Sequence, residues 1–189
     1  MQEYDISIVI PIFNRLFYVN RSISSAQDQN SPKIEILCVD DCSTEPISTF
    51  IIEKIKKDRN IKLVQHIYRQ GTFFARRNGV FASKGKYIIS VDSDDIILPN
   101  SIDQVYQYAM KTDADVVDYV AENREKNGTI ISEDWFPCIE NFTTNQALRE
   151  KYKYFSPKLS YNIWKRMIKR SVYIKAMNYT GKVTLKFAT

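Results

Sequence analysis

One histidine, five glycines and three cysteines in a chain of 189 residues leave several chemistries without their parts. With His66 alone and no Cys-x-x-Cys pair, a structural zinc site has too few ligands, and a serine–histidine triad would have to be built on that single ring. Cys38, Cys42 and Cys138 are odd in number, and Cys38 lies in an apolar run where a thiol behaves as a small hydrophobe; both facts argue against a disulfide framework. Neither Gly-x-Gly-x-x-Gly nor Gly-x-x-x-x-Gly-Lys-Ser/Thr occurs, so a dinucleotide Rossmann site and a P-loop both lack their phosphate cradle. Any bound diphosphate must be held by metal and cationic side chains instead. No apolar run approaches the ~18 residues of a membrane span, and Met1–Asp5 lacks the basic head and apolar run of a signal peptide. The expected compartment is the cytoplasm.

What the chain does have is a globular composition, 44% apolar and 26% charged, at a length that suits a single domain burying about two-thirds of its surface. Its net charge of +5 is unevenly placed. Ten Lys/Arg and no Asp or Glu fall between Lys151 and Thr189, whereas residues 1–150 hold 17 Lys/Arg against 22 Asp/Glu. With Tyr152, Tyr154, Phe155, Tyr161, Trp164 and Tyr173 interleaved, this segment suits nucleic acid, anionic lipid or a phosphorylated substrate. It reads equally as a solvated face whose acidic neighbours lie elsewhere in the fold.

Ile6–Pro11 is short, β-branched and ended by a proline, which predicts a buried strand. Leu16, Val19, Ile23 and Ala26 recur at helical spacing and predict a helix over Leu16–Asp28. Strands are expected at Ile34–Val39, Ile61–Val64, Tyr87–Val91 and Val116–Val120, and helices at Ile47–Lys57, Gly71–Ala82 and Ile102–Lys111. This alternation predicts an α/β fold, a mostly parallel sheet with helices on both faces. Asn127-Gly128 predicts a hairpin turn between Val117–Arg124 and Thr129–Ser132. After Ser156-Pro157 comes an amphipathic stretch, Leu159–Met177.

In an open parallel sheet, ligands bind beyond the carboxyl ends of the strands. Here those ends carry Pro11–Asn14, Asp40–Asp41 and Asp92–Asp95, so five acidic side chains are expected on one rim. Carboxylates that close repel and need a compensating cation or hydrogen-bond donors. Asp92-Ser93-Asp94-Asp95 offers hard oxygen ligands only, which suits Mg²⁺ or Mn²⁺ better than zinc. Such a metal can neutralise a diphosphate and stabilise it as a leaving group. The alternative is an acidic run that merely caps the next helix.

Four segments in order, Ile6–Asn14, Glu35–Thr44, Gly71–Gly79 and Gly85–Pro99, resemble the nucleotide-sugar half of the family 2 inverting glycosyltransferases, over roughly residues 5–110. The resemblance implies the GT-A fold, a Rossmann-like mostly parallel sheet, with a donor-binding subdomain at 1–115 and a partial acceptor-side region at 116–189 in a single domain. Within the family the chain is most similar to bacterial enzymes that extend lipooligosaccharide or capsule, particularly galactosyl- and N-acetylgalactosaminyltransferases. The implied donor is a UDP-sugar of the UDP-Gal, UDP-GalNAc or UDP-Glc type, the cofactor Mn²⁺ or Mg²⁺, and the acceptor a saccharide or lipid-linked saccharide. Carried over by motif position, Pro11 and Phe13 line the nucleotide pocket, with loop anchoring as the other reading of Phe13. Asp41, ahead of Asp40, accepts the uracil N–H. Asp94 contacts ribose or sugar and the metal, Asp95 ligates the metal, and Asp92 and Ser93 belong to the same motif. Arg76 either balances the acidic rim or packs as a helix surface residue.

An inverting transfer needs a general base to deprotonate the acceptor hydroxyl. The family usually supplies it from a Glu-Asp pair in the second half, and Trp164–Ser171 resembles the stretch preceding that pair. The pair should follow a short strand such as Lys182–Leu185, yet the chain stops at Thr189 with no acid after Glu150. The expectation is a shortened chain that binds donor and is weak or inactive in transfer; a base from a partner, or from Glu133, Asp134 or Glu140, is the other possibility. The basic aromatic stretch Lys151–Lys186 then suits peripheral contact with the inner face of the plasma membrane, or exposes core residues left uncovered. Other chemistries fit less well. Nucleotidyl transfer would want a glycine-rich loop after the first strand, a phosphatase its Asp-x-Asp there, and a nucleic acid would be repelled by the acidic rim.

Overall fold

The computed structural model describes residues 4–30, 32–119, 121–124, 129–133 and 165–180. Its elements run β1 (Tyr4–Ile12), α1 (Leu16–Gln27), β2 (Ile34–Asp40), α2 (Ile47–Lys57), β3 (Ile61–Gln65), α3 (Thr72–Ala82), β4 (Gly85–Ser90), α4 (Ser101–Thr112), β5 (Val116–Asp118), β6 (Glu122–Arg124), β7 (Ile130–Glu133), β8 (Arg166–Lys169) and α5 (Arg170–Thr180). The main sheet has the order β3-β2-β1-β4-β8-β5. β1 pairs in parallel with β2 and β4, and β2 with β3. β8 is antiparallel to both β4 and β5, so β5 again points along β4.

β1 is central, and Ile6 to Ile12 are all buried, which is why Ser7 is the one polar residue among them. Alternation sends its side chains into two cores. Ile6, Ile8, Ile10 and Ile12 meet Val19 and Ile23 of α1, Ile47 and Ile51 of α2 and Ile102 of α4. Val9 points the other way, towards Ala75 and Val80 of α3 and Tyr173 and Met177 of α5. The sheet is thus sandwiched between α1, α2 and α4 on one face and α3 and α5 on the other. α3 lies very close to β1: a Cβ added at Gly79 would collide with Val9 Cγ1. Gly85 admits no side chain either, since a Cβ there would meet the Ser7 backbone nitrogen at 2.5 Å.

Beneath the amino ends of the strands, Glu35 is fully buried. It accepts from Ser7 Oγ at 2.5 Å, from the Gly85 N–H at 3.2 Å and from Lys62 Nζ at 2.5 Å. One carboxylate therefore ties β1, β2, β3 and β4 together, and its charge is tolerated because it is paired and bonded.

The sequence reading differs from this fold in three places. β5 stops at Asp118, two residues short, and does not lie beside β4. The strand that does, β8, comes from the middle of the stretch read only as amphipathic; the rest of that stretch within view is α5. The hairpin is β6 with β7, paired Glu122 to Glu133 with a register shift between Asn123 and Arg124, and not an extension of β5. Asn127-Gly128, Asp134, Cys138, Glu140 and Lys182–Leu185 lie outside the described residues. β8 and α5 also account for part of the basic segment: Arg166 pairs with Asp118 at 2.7 Å, and Lys169 with Asp113 and Asp115 at 3.1 and 3.3 Å. These are the acidic neighbours of the solvated-face reading. No helix among the described residues is long and apolar enough to cross a membrane.

Candidate donor-binding cleft

Because β1, β2 and β4 are parallel, their carboxyl ends open on the same edge of the sheet. There a cleft of about 260 Å³ is lined by residues of the β1–α1 loop, by Asp41, by Arg69, Thr72 and Ala75, and by Asp92, Ser93 and Asp94. Its walls are loops fastened to one another. At the end of β1 the backbone turns through two left-handed residues, Asn14 (φ 58°) and Arg15 (φ 64°), a conformation asparagine tolerates and arginine adopts at a cost of about 1 kcal/mol. The turn is held from the β2–α2 loop. Asn14 Oδ1 accepts the Thr44 N–H at 2.9 Å, and the Glu45 carboxylate accepts the N–H groups of Arg15 and Leu16 at 3.1 and 2.8 Å, capping α1 from outside. The third wall, residues 92–98, is tied to α1 through Ser25, whose Oγ accepts the Ile97 N–H at 3.0 Å.

Asp41 is 3% exposed and lines the cleft. Its Oδ1 accepts from His66 Nδ1 at 2.7 Å and from the Gln70 N–H at 2.8 Å, and its Oδ2 from the Gly71 N–H at 2.7 Å. Burial alone would raise its pKa, but the Gln70 N–H, the His66 ring and the Gly71 N–H outweigh burial and hold the carboxyl below its ordinary range. Gly71, at φ 90°, supplies the turn that brings this loop back to Asp41 and starts α3.

The opposite wall is acidic but largely compensated. Asp92 pairs with Arg76, whose Nε also donates to Ser90 Oγ at 3.2 Å. Asp94 pairs with Arg15, both side chains being largely exposed at 43% and 59%. Asp95 stands outside these pairs: partial burial of its carboxyl, then the charges of Asp92 and Asp94, push its pKa up to about 6. Arg69 stacks its guanidinium 4.0 Å from the centre of the Phe13 ring, placing a cation on the aromatic floor.

Of the residues singled out by sequence, Pro11, Phe13, Asp41, Asp92, Ser93 and Asp94 line the cleft; Asp40, Arg76 and Asp95 do not. Asp40 is buried and turned to the β2–α2 loop, where its Oδ1 accepts the Ser43 N–H at 3.0 Å. Three of the five acids expected to converge, Asp41, Asp92 and Asp94, line the cleft together, with Asp95 beside them and Asp40 turned away; yet among the described residues no three His, Cys, Asp or Glu side chains stand close enough to hold a metal unaided. Arginines and backbone N–H groups supply the compensation that had been expected of a divalent cation. The donor set still fits Mg²⁺ or Mn²⁺, since such ions are commonly bound through one or two carboxylates plus substrate phosphates, and Asp94 is held only by an exposed ion pair of small worth. Arg15, Arg69, Thr72 and His66 escaped the sequence reading. Arg15 had a signal, as the first cation after the β1 motif in a protein that lacks a glycine phosphate loop; His66 had none, because its partners are 25 and 12 residues away.

The profile of glycosyl transferase family 2 matches residues 7–181. The chain belongs to that family. It is 35% identical over 112 residues to the glycosyltransferase GlyG of Streptococcus pneumoniae, a match covering 59% of this chain and 37% of that protein. It is 33% identical over 114 residues to a poly(ribitol-phosphate) beta-glucosyltransferase of Bacillus spizizenii, covering 59% of this chain and 18% of the relative. Among solved structures, S. aureus TarS 1-349 in complex with UDP superposes with a TM-score of 0.54 at 28% identity, over 59% of this chain and 34% of that one. The matched region thus spans about a third or less of these relatives' lengths. The family 2 chain described here shares with TarS its α/β architecture, a mostly parallel sheet flanked by helices, of the GT-A type.

Proposed function

We propose that the cleft binds the UDP moiety of a sugar donor, and that the chain provides the donor side of an inverting hexosyl transfer to a saccharide acceptor. The observation that carries this reading is the ionised Asp41 at the cleft wall, opposite the Asp92–Asp94 segment. An acceptor-only group suits the N–H edge of uracil, and Phe13, stacked under Arg69, offers a face for the ring. Pro11 shapes the same wall. Asp94 and Asp95 would hold Mn²⁺ or Mg²⁺, which would supply positive charge for the diphosphate leaving group. Arg15 is released from Asp94 to the phosphates, an exchange made cheap by the exposure of that pair. Asp92 and Ser93 position this segment, with Arg76 fixing Asp92. Residues 1–115 are the donor part in this reading and 116–189 the acceptor side. Donors of the UDP-Gal, UDP-GalNAc or UDP-Glc type, an acceptor in lipooligosaccharide, capsule or a related surface polysaccharide, and peripheral contact of Lys151–Lys186 with the inner membrane face belong to the same proposal.

The general base is not among the cleft residues described; Glu133 lies in β7, and Asp134 and Glu140 are outside the described residues. Donor binding is therefore the part of the reading to test first. In saturation-transfer NMR with diamagnetic Mg²⁺ present, UDP-galactose, UDP-N-acetylgalactosamine and UDP-glucose should all show contact at the uracil protons and be displaced by UDP. GDP-mannose should not displace them. Equal displacement by GDP-mannose would rule out the uridine reading.

A further inference from the structure

His66 is the one histidine of the chain, follows β3 directly, and is only 7% exposed. Its Nδ1 lies 2.7 Å from Asp41 Oδ1 and its Nε2 2.9 Å from Asn78 Nδ2 on α3. Its backbone N–H donates to the Asp40 carbonyl at 2.9 Å, so the residue is anchored at three points, two of them on the ring. The partners decide where its proton sits. A carboxylate has no hydrogen to give, so Nδ1 carries the proton and donates it to Asp41. In this orientation the Asn78 amide donates to Nε2, which is then the acceptor; with the amide turned over, its oxygen would accept from a protonated Nε2, and the bond from Nδ1 to Asp41 would be the same in both cases.

The consequence is a count of lone pairs at Asp41. Each carboxylate oxygen accepts in about two directions. Oδ1 is filled by His66 and Gln70, while Oδ2 takes only the Gly71 N–H and keeps one direction open. We propose that His66 is a positioning residue for base recognition: by occupying Oδ1 it fixes the carboxylate plane and leaves a single acceptor on Oδ2, which accepts the ring N–H of uracil and rejects the unprotonated ring nitrogen of cytosine. This deepens the UDP reading and rests on it. His66 touches no part of the donor; it acts through Asp41. Without the ring the carboxylate can swing about its last torsion, and discrimination between the two pyrimidines declines.

The test uses the whole 189-residue chain with Mn²⁺, titrated calorimetrically with UDP and with CDP, as wild type, His66→Leu and His66→Asn. The wild type should prefer UDP, and His66→Leu should shrink that preference roughly tenfold, the worth of one well-oriented bond to a charged group. His66→Asn, whose amide N–H takes the place of the Nδ1–H, should restore most of it, which a merely structural role would not require. Because the imidazole is unique in the chain, its ¹⁵N spectrum is assigned without ambiguity and should report a proton on Nδ1. A ring protonated on Nε2 alone would overturn the assignment even if His66→Leu fails to fold. An undiminished UDP preference in a folded His66→Leu would overturn it while leaving the UDP reading intact; no UDP preference in the wild type would overturn both.

Discussion

Glu35→Ala is expected to cost about 4 kcal/mol of stability and lower the unfolding temperature by about 10 °C. Glu35 is fully buried at the foot of the sheet, and Ser7 Oγ, the N–H groups of Lys84 and Gly85, and Lys62 Nζ all donate to it. Alanine removes the acceptor shared by the Ser7 hydroxyl, the Lys84 N–H and Lys62 Nζ, where water cannot reach them all; the Gly85 N–H keeps Ser7 Oγ as its acceptor at 2.8 Å. An orphaned buried donor costs about 1–3 kcal/mol. Lys62 loses less, because its side chain is 32% exposed and can be rehydrated. Glu35→Gln should fall in between, since the amide keeps the shape and one acceptor but opposes a donor on its other side. Urea denaturation of the three chains measures the effect; a loss below about 1 kcal/mol for alanine would mean that the carboxylate does not hold the strands together.

Asp41→Asn should weaken UDP about 100-fold and bring CDP level with it or ahead. Oδ1 already receives two N–H groups, so the amide oxygen settles there and the amide nitrogen takes the place of Oδ2. A donor then faces the uracil N–H, which loses a charge-assisted hydrogen bond and gains a repulsion. Cytosine, which offers an acceptor at that ring position, gains a partner. The amide nitrogen also confronts the Gly71 N–H, so some loosening of the loop before α3 should accompany the change. Competition binding with the two nucleotides reads the effect directly, and an unchanged order of affinity would remove Asp41 from base recognition.

The strands that read most clearly in the sequence are those buried on both faces. Ile6–Pro11 and Ile34–Val39 are rich in β-branched and aliphatic residues, with the buried Ser7 and Glu35 their only polar side chains, and the structure extends them only to Tyr4–Ile12 and Ile34–Asp40. The helix at Ile47–Lys57 has the expected bounds because Ile47, Ile51 and Ile55 mark its core side. β8 was illegible for the opposite reason. Arg166-Met167-Ile168-Lys169 has two apolar residues between two cations, and only its place between β4 and β5 gives those residues a core to enter. At the cleft, position in the chain located the loops, since parallel strands bring their carboxyl ends together. It could not assign partners. Asp40 and Asp41 are adjacent and chemically identical, yet one turns to Ser43 and the other lines the cleft. Likewise the pairing of Asp92 with Arg76 and of Asp94 with Arg15 depends on contacts across 16 and 79 residues, which no local pattern records.

In the proposed reading, the cleft at the carboxyl edge of the sheet binds a uridine diphosphate through a divalent metal held at Asp94 and Asp95. Isothermal titration of the chain with UDP, with and without Mn²⁺ and repeated for Asp95→Asn, measures this. Binding should strengthen at least about tenfold with Mn²⁺ and lose that gain in the variant. UDP binding indifferent to both the metal and the substitution, or no binding in either condition, would overturn the reading.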